Sequence, residues 1–244
     1  RAKGVVAISA FLRDHLFPPR FKADFPIHVI HNACDTDLFR PGDPTVLEPL
    51  LQELRADGGI VAGIVGRLDP GKQPQAVLEL AAMMADTMPT LRFVYVGSGS
   101  EENQLRAAIR RRGLEDRVML LGYRESIADI YRQIDILLHM AADEPFGRIY
   151  LEAMASGLPV VGAAGSAIHE IVVPEETGYI CRFGDWQAWM EALKCLQDGN
   201  QRARFGKAGR NRVRETFSIE RMVHQYADLY RKVLDGSTPS PQNG

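Results

Sequence analysis

Short runs of apolar, mostly β-branched residues recur along the chain, and segments with helical periodicity separate them. The runs show little polar alternation, which is typical of strands buried on both faces of a sheet. The predicted strands are residues 5–8, 27–30, 60–65, 91–96, 118–121, 134–139 and 159–162. In the intervening segment 75–85, Val77, Leu80, Ala81 and Met84 fall on one helical face. This order predicts an α/β fold, a Rossmann-like parallel sheet with helices on both faces.

The net charge, the apolar runs and the positions of cysteine and histidine limit the partners and cofactors that this sequence predicts. The formal net charge of -2 gives no bulk attraction to nucleic acid, so no nucleic-acid partner is expected. Cys34, Cys181 and Cys195 are far apart and odd in number, which argues against a disulfide framework and favours a cytoplasmic protein. No apolar run approaches the ~18 residues of a membrane-spanning helix. The histidines lack metal-ligand spacing, and neither a metal nor another cofactor is expected.

The first segment that could carry chemistry follows the predicted strand 60–65. The strand ends at Gly66, and Arg67 and Lys72 come in the loop after it. In parallel α/β sheets, ligands bind beyond the carboxyl ends of strands. An arginine fork and a lysine point charge suit a diphosphate. The alternative is a surface loop with two solvated cations.

The second segment, residues 94–101, reads as a strand, a glycine turn at Gly97 and a helix start. Glycine turns of this kind are common where a strand leads into a helix. From the residues alone, a purely structural role for this turn is favoured over a functional one.

The third segment, residues 143–161, predicts a helix that begins at Pro145 and is ended by Gly157. Proline suits a first helical turn because it has no N–H to leave unpaired. The backbone N–H groups from Phe146 to Arg148 would then be free at the helix N-terminus, where they form an anion site.

Two carboxylates flank that predicted helix start. Glu144 precedes the helix and Glu152 follows eight residues later, which is close to two turns and about 12 Å along the axis. Both would lie on one face, where each could hold hydroxyls at opposite ends of a sugar nucleotide. The alternative is an ordinary acidic helix start stabilised by the helix dipole.

These three segments, in this order, resemble the C-terminal half of the GT-B family of retaining, nucleotide-sugar-dependent glycosyltransferases. Residues 30–41 also look like the segment in which that family's chain crosses between its two domains. The resemblance extends over about residues 1–235. It rests mainly on Gly66, Arg67 and Lys72, on residues 96–99, and on residues 144–161 with their Glu-x7-Glu spacing.

The resemblance implies a role for each matching residue. The catalytic set would be Arg67, Lys72 and Glu144, with both cations on the donor diphosphate and Glu144 on the donor sugar, and no nucleophile is assigned. Glu152 would hold the ribose, and the backbone near Gly122 and Tyr123 would meet the base. The complete substrate-binding set would be Gly66, Gly97, Gly122, Tyr123, Pro145, Phe146, Gly147, Arg148 and Glu152.

Three departures from the family pattern leave the donor open. Ala33-Cys34 stands where the family has Gly-Val, and Met140-Ala141 replaces a frequent Pro-Ser and its hydroxyl. Residues 165–170 are an altered form of Gly-Gly-x-x-Glu. The donor would be of the UDP or GDP type, and neither its base nor its sugar is assigned.

The resemblance also implies a division of the chain. Residues 1–25 would be a remnant of the N-terminal GT-B domain, and residues 26–217 the nucleotide-sugar-binding domain. Residues 218–235 would be a helix that crosses back to the missing domain, its apolar stripe partly exposed here, and the tail 236–244 would be disordered. The chain alone is expected to be inactive, because the acceptor site would lie largely in the missing half.

The expected function is donor binding within a retaining, metal-independent glycosyltransferase, for example of polysaccharide biosynthesis. The acceptor would be a glycan, a lipid or a small molecule, and peripheral membrane contact would come through the missing half. Two alternatives stay open at this point. One is a sugar-nucleotide epimerase on the same fold, and the other is a non-catalytic module that binds nucleotide sugars.

Overall fold

A six-stranded parallel sheet forms the centre of the molecule. The computed structural model describes residues 4–18, 25–55 and 58–235. The strands of the sheet are β3 (Ile60–Val65), β4 (Leu91–Val96), β5 (Val118–Gly122), β6 (Ile136–His139), β7 (Val160–Ala163) and β8 (Gly178–Cys181). Their order is β5-β4-β3-β6-β7-β8 and every pairing is parallel. The topology therefore reverses at β3, beside β6, where α/β sheets open a crevice.

Helices cover both faces of this sheet. The helices of the described residues are α1 (Ala10–Leu16), α2 (Pro49–Arg55), α3 (Pro74–Met83), α4 (Glu102–Arg112), α5 (Ile127–Tyr131), α6 (Arg148–Ala155), α7 (Ile168–Ile171), α8 (Trp186–Cys195), α9 (Gly199–Thr216) and α10 (Ile219–Leu234). A 3-10 turn, Pro70–Lys72, precedes α3.

Two hydrophobic cores lie on opposite faces of the sheet. All six residues of β3 are buried. Ala62 and Ile64 contribute to the core under α3, α4 and α8, while Val61 and Val65 contribute to the core under α2, α5, α6 and α7. Alternate side chains of one strand point to opposite faces. Because both faces of β3 are covered by helices, all its side chains are apolar and none alternates with a polar one. The predicted α/β fold with helices on both faces is confirmed.

A second, two-stranded sheet carries the first helix against the main body. It consists of β1 (Val5–Ala7) and β2 (Ile27–Val29), which pair in parallel. Ser9 caps α1, and its Oγ also donates to the Pro145 carbonyl at 2.6 Å. Glu170 accepts from the Ala10 and Phe11 amides at 2.9 and 2.8 Å. These contacts fix α1 next to the loop that leads into α6.

The C-terminal helix α10 begins after Ser218, whose side chain accepts from the Arg221 amide. The helix is strongly amphipathic, but none of its residues is buried. Ile219, Val223, Tyr230 and Leu234 are exposed. Its apolar face is therefore only partly covered within the described part of the chain. The tail 236–244, predicted to be disordered, lies outside the described residues, as do residues 1–3 and 19–24 of the predicted N-terminal remnant.

One predicted helix boundary is wrong. The helix expected from Pro145 begins at Arg148, because Gly147 takes a left-handed conformation with φ 87° that cannot continue into a helix. Its end is as predicted: Gly157 has φ 83°, and the Leu158 amide returns to the Ala153 carbonyl at 3.0 Å. Strand β8 was not predicted, since Ile180 is the one β-branched residue among its four.

Two structural absences hold for residues 4–18, 25–55 and 58–235. None of their helices is long and apolar enough to cross a membrane. No group of three or more His, Cys, Asp or Glu side chains is arranged there to hold a metal ion.

Candidate functional site

A cleft lies at the carboxyl ends of β3, β4 and β6, and it consists of two adjoining cavities that share Val65 and Gly66. Cavity A, of about 350 Å³, is lined by Ile8, Asn32, Val65, Gly66, Lys72, His139, Glu144, Pro145, Phe146, Gly147, Arg148 and Ile149. Cavity B, of about 420 Å³, is lined by Val65, Gly66, Arg67, Val96, Gly97, Ser98, Tyr123, Arg124, Glu125 and Ile127. The three segments selected from the sequence thus meet in one cleft.

The floor of the cleft is main chain. Gly66 and Gly97 follow β3 and β4 with φ of 131° and 140°. A Cβ on Gly97 would lie 1.9 Å from the Gly66 carbonyl oxygen, so no side chain fits there. The Gly97 amide donates to the Gly122 carbonyl at 2.8 Å. The structural role expected for the Gly97 turn is therefore present, and the same residue lines cavity B.

Gly122 itself supports the floor and is not among the residues that line either cavity. It ends β5 with φ 74°. The next residue, Tyr123, lines cavity B with 72 % of its surface exposed. An exposed aromatic ring beside a cavity offers a flat face on which a base can stack.

Lys72 and Glu144 form an ion pair in the wall of cavity A. The Lys72 Nζ lies 2.5 Å from Glu144 Oε2. His139 brings its Nε2 within 3.5 Å of the same oxygen. Burial alone would raise the pKa of Glu144, but His139 and Lys72 outweigh it and lower that pKa to about 2. Glu144 is therefore a fixed anion between two nitrogen-bearing side chains.

Arg67 occupies cavity B and is held differently. Its Nε donates to Asp69 Oδ2 at 2.6 Å, although 76 % of its side chain is exposed. Asp69 also accepts from the amide and the hydroxyl of Ser100, both at 3.0 Å. The two cations predicted to act together thus stand in adjoining cavities, each paired with a carboxylate.

The loop 144–147 brings backbone amides to cavity A. Phe146 anchors it, with its ring packed 5.9 Å from His31 and 6.3 Å from Phe217. Within the described residues the amides of Arg148 and Ile149 donate to no protein acceptor. The amides of Phe146 and Gly147, in the loop before α6, likewise donate to no protein acceptor there, so the predicted amide set of Phe146 to Arg148 has no protein partner, although only Arg148 belongs to the helix.

Glu152 does not share a helical face with Glu144, which corrects the predicted geometry. Glu144 lies before the left-handed Gly147 and outside α6, so helix periodicity does not relate the two carboxylates. Glu152 accepts from the Tyr131 hydroxyl at 3.2 Å and lies 3.8 Å from Arg148. Burial raises the pKa of Glu152. It lines neither cavity A nor cavity B.

Sequence reasoning did not select five residues in the wall of cavity A: Ile8, Asn32, Val65, His139 and Ile149. Ile8 and Asn32 come from outside the main sheet, and no local pattern places them there. His139 carried a signal, because it ends a predicted buried strand five residues before Glu144. The carboxyl end of a strand is where ligand-binding side chains collect.

The comparisons with known proteins agree on one family. Residues 51–212 match the family described as "Glycosyl transferases group 1". The chain is 32% identical over 164 residues to N-acetyl-alpha-D-glucosaminyl L-malate synthase of Bacillus anthracis. This match covers 67% of this chain and 43% of that protein. The chain is 31% identical over 231 residues to D-inositol 3-phosphate glycosyltransferase of Corynebacterium glutamicum, covering 87% and 54%. The chain spans about half the length of these curated relatives.

Solved structures share the fold. Anabaena Alr3699/HepE in complex with UDP and glucose superimposes with a TM-score of 0.81 at 26% identity, over 94% of this chain and 63% of that one. The C-terminal domain of a glycosyl transferase group 1 family protein from Francisella tularensis gives a TM-score of 0.65 at 26% identity, over 76% and 99%.

Proposed function

Because the chain belongs to the glycosyl transferases group 1 family, we propose that it is the donor-binding part of a retaining, metal-independent glycosyltransferase. Its ligand is a nucleotide-diphosphate sugar, and the longer protein transfers the sugar to a glycan, lipid or small-molecule acceptor in the cytoplasm. The HepE structure holds UDP and glucose, which makes a UDP sugar the first donor to test here.

The observation that carries this proposal is the Lys72–Glu144 pair at the wall of cavity A, beside the free amides of Arg148 and Ile149. A cation and a helix N-terminus at one cavity form a site for phosphate oxygens. A carboxylate next to them can accept hydrogen bonds from sugar hydroxyls. One cavity thus offers partners for both halves of a sugar phosphate.

The proposed chemistry is stabilisation of a leaving group. Negative charge develops on the diphosphate as its bond to the sugar breaks, and donors that are already in place stabilise that charge without reorganising. Lys72, Arg67 and the α6 amides supply such donors on either side of the glycine floor, which is the main chain at Gly66 and Gly97. When the diphosphate binds, it competes with Glu144 and Asp69 for the two cations.

The remaining donor contacts follow from the cleft walls. We propose that Tyr123, which lines cavity B, stacks on the base, and that Gly66 and Gly97 lie beneath the diphosphate. Glu152 keeps the proposed role at the ribose, which requires its carboxylate to exchange the Tyr131 hydroxyl for ligand hydroxyls. Pro145, Phe146 and Gly147 shape the sugar side of cavity A.

Calorimetric titration of the chain with UDP, GDP and ADP, each free and as a hexose conjugate, tests the proposal. We expect one base to bind with a Kd in the micromolar to millimolar range and the other two to bind at least about tenfold more weakly. If a folded sample binds none of them at millimolar concentration, the proposed function is wrong.

We further propose that α10 packs against the rest of a longer polypeptide, with residues 26–217 as the donor domain and residues 1–25 as part of its partner domain. The support is the partly exposed apolar face of α10 and the chain's coverage of about half of its curated relatives. Exposed apolar patches on a single chain mark interaction surfaces.

Hydrogen exchange compares α10 in this chain and in the full-length protein. We expect its amides to exchange at least about tenfold more slowly in the longer protein, while those of the buried strand β3 are protected equally in both. Equal exchange of α10 in the two proteins would contradict this packing.

A further inference from the structure

His139 is a buried polar side chain with an unused hydrogen-bonding atom at the wall of cavity A. It is the last residue of β6 and only 3% exposed. Its Nε2 has no hydrogen-bond partner within the described residues. Nearly all buried polar atoms in folded proteins have a partner, because leaving one unpaired costs free energy. An unpaired nitrogen at a cavity wall therefore points to a partner that arrives with a ligand.

The imidazole is held in place by its surroundings. Strand β6 lies in the middle of the sheet, between β3 and β7. The ring packs edge-on against Tyr150, with centroids 5.4 Å apart and planes at 80°. Glu144, in turn, is held by Lys72. The imidazole and the carboxylate thus face the cavity from two fixed supports.

The distance between His139 Nε2 and Glu144 Oε2 selects the chemistry of the missing partner. At 3.5 Å the two atoms are too far apart for a well-formed hydrogen bond with each other. They are close enough, however, for one oxygen atom to lie about 2.8 Å from both. That oxygen must donate to the carboxylate and can accept from the Nε2 hydrogen.

A hydroxyl group meets both demands, since it has one hydrogen to donate and two lone pairs to accept with. A phosphate oxygen does not, because it carries no hydrogen for Glu144 and is repelled by its charge. An apolar group satisfies neither atom. Cavity A offers phosphate oxygens other partners, which are Lys72 and the α6 amides of Arg148 and Ile149.

We propose that His139 is a sugar-recognition residue, which together with Glu144 binds one hydroxyl group of the donor sugar. The proposal rests on the proposed function and assigns a contact within the same site. It predicts that His139 contributes to the affinity for the sugar moiety and not to the affinity for the nucleotide.

The test separates these two contributions with His139→Leu, which removes the nitrogen and keeps an apolar side chain. The matched control is His28→Leu, because the His28 Nε2 is also buried without a partner but belongs to β2 and lines neither cavity. Calorimetry gives Kd for UDP, UDP-glucose and UDP-N-acetylglucosamine, and for GDP and GDP-mannose. The ratio of the Kd of the free nucleotide to that of its sugar conjugate measures what the sugar adds.

For His139→Leu we expect the Kd of the free nucleotide to stay within about twofold of the original, while the sugar ratio falls about tenfold, as for loss of one hydrogen bond to a charged or polar partner. His28→Leu should change neither quantity. In the unchanged chain, the imidazole resonances of His139, identified by their loss from the spectrum of His139→Gln, should shift with the nucleotide sugar and not with the free nucleotide. This second measurement does not depend on the folding of the leucine variant.

Three results would overturn the assignment. The sugar ratio could be unchanged in His139→Leu, free and conjugated nucleotide could weaken equally, or no sugar could add affinity in the unchanged chain. In each of these cases the nucleotide still binds and the proposed function stands. If no nucleotide binds at all, it is the proposed function that has failed, and the assignment falls with it.

Discussion

Lys72→Met is expected to weaken nucleotide-sugar binding about 100-fold. Two effects act in the same direction. The diphosphate loses a charged hydrogen bond of about 1.5–3 kcal/mol, and Glu144, which loses its 2.5 Å partner, turns an uncompensated negative charge toward the ligand. About 2.7 kcal/mol corresponds to a hundredfold change in Kd. Calorimetric titration measures the change, with the nucleotide sugar that binds best in the titrations with UDP, GDP and ADP compounds.

The double variant Lys72→Met with Glu144→Gln separates the two effects. With the carboxylate neutralised, part of the loss should return, and we expect binding about tenfold weaker than in the unchanged chain. Lys194→Met is the matched control, since Lys194 is an exposed lysine on α8 that lines neither cavity. Binding by Lys72→Met within about threefold of the original would rule out a diphosphate at this side chain.

Gly97→Ala is expected to lower the free energy of unfolding by about 3 kcal/mol or more and to abolish donor binding. The new Cβ would lie 1.9 Å from the Gly66 carbonyl oxygen, a backbone atom that cannot move without moving the end of β3. The residue would also keep φ near 140°, where side chains are strained. Backbone strain costs about 1–3 kcal/mol, and overpacking about 1–3 kcal/mol more. Urea denaturation measures the sum.

Gly71→Ala provides the comparison for this substitution. Gly71 lies in the loop between β3 and α3, near the same cleft, but no atom lies within 4 Å of its added Cβ and its φ is not positive. We expect its stability to change by no more than about 0.5 kcal/mol. Similar losses in the two variants would show that the close approach of Gly97 to Gly66 does not hold the floor together.

Much of the fold and part of the site could be predicted because they depend on local patterns. The bounds of β3 and β4 agree with the sequence prediction, since both strands are long apolar runs in a doubly covered sheet. Lys72 and Glu144 lie far apart in sequence, yet each follows a parallel strand. The carboxyl ends of such strands meet at one edge, so their approach was predictable.

The rest depends on contacts that no local pattern encodes. Pro145 fits a helix start, and nothing nearby in sequence reveals that Gly147 takes the left-handed conformation that delays it. Ser9 and Glu170 hold α1 by bonds that span more than 130 residues. For His139 the sequence carries only the general signal of a strand's carboxyl end, and the fold is needed to show which cavity its ring faces.

The glycine floor has a consequence for how such a cleft can diversify. The residues that keep the strand ends together, Gly66 and Gly97, have no side chains and present only backbone to the cleft, whereas the side chains that line cavity A come from separate elements. The wall residues Ile8 and Asn32 lie outside the six-stranded sheet, so each can be exchanged without disturbing it. A gene encoding this architecture can therefore explore new ligand preferences through single substitutions while the folded scaffold is inherited unchanged.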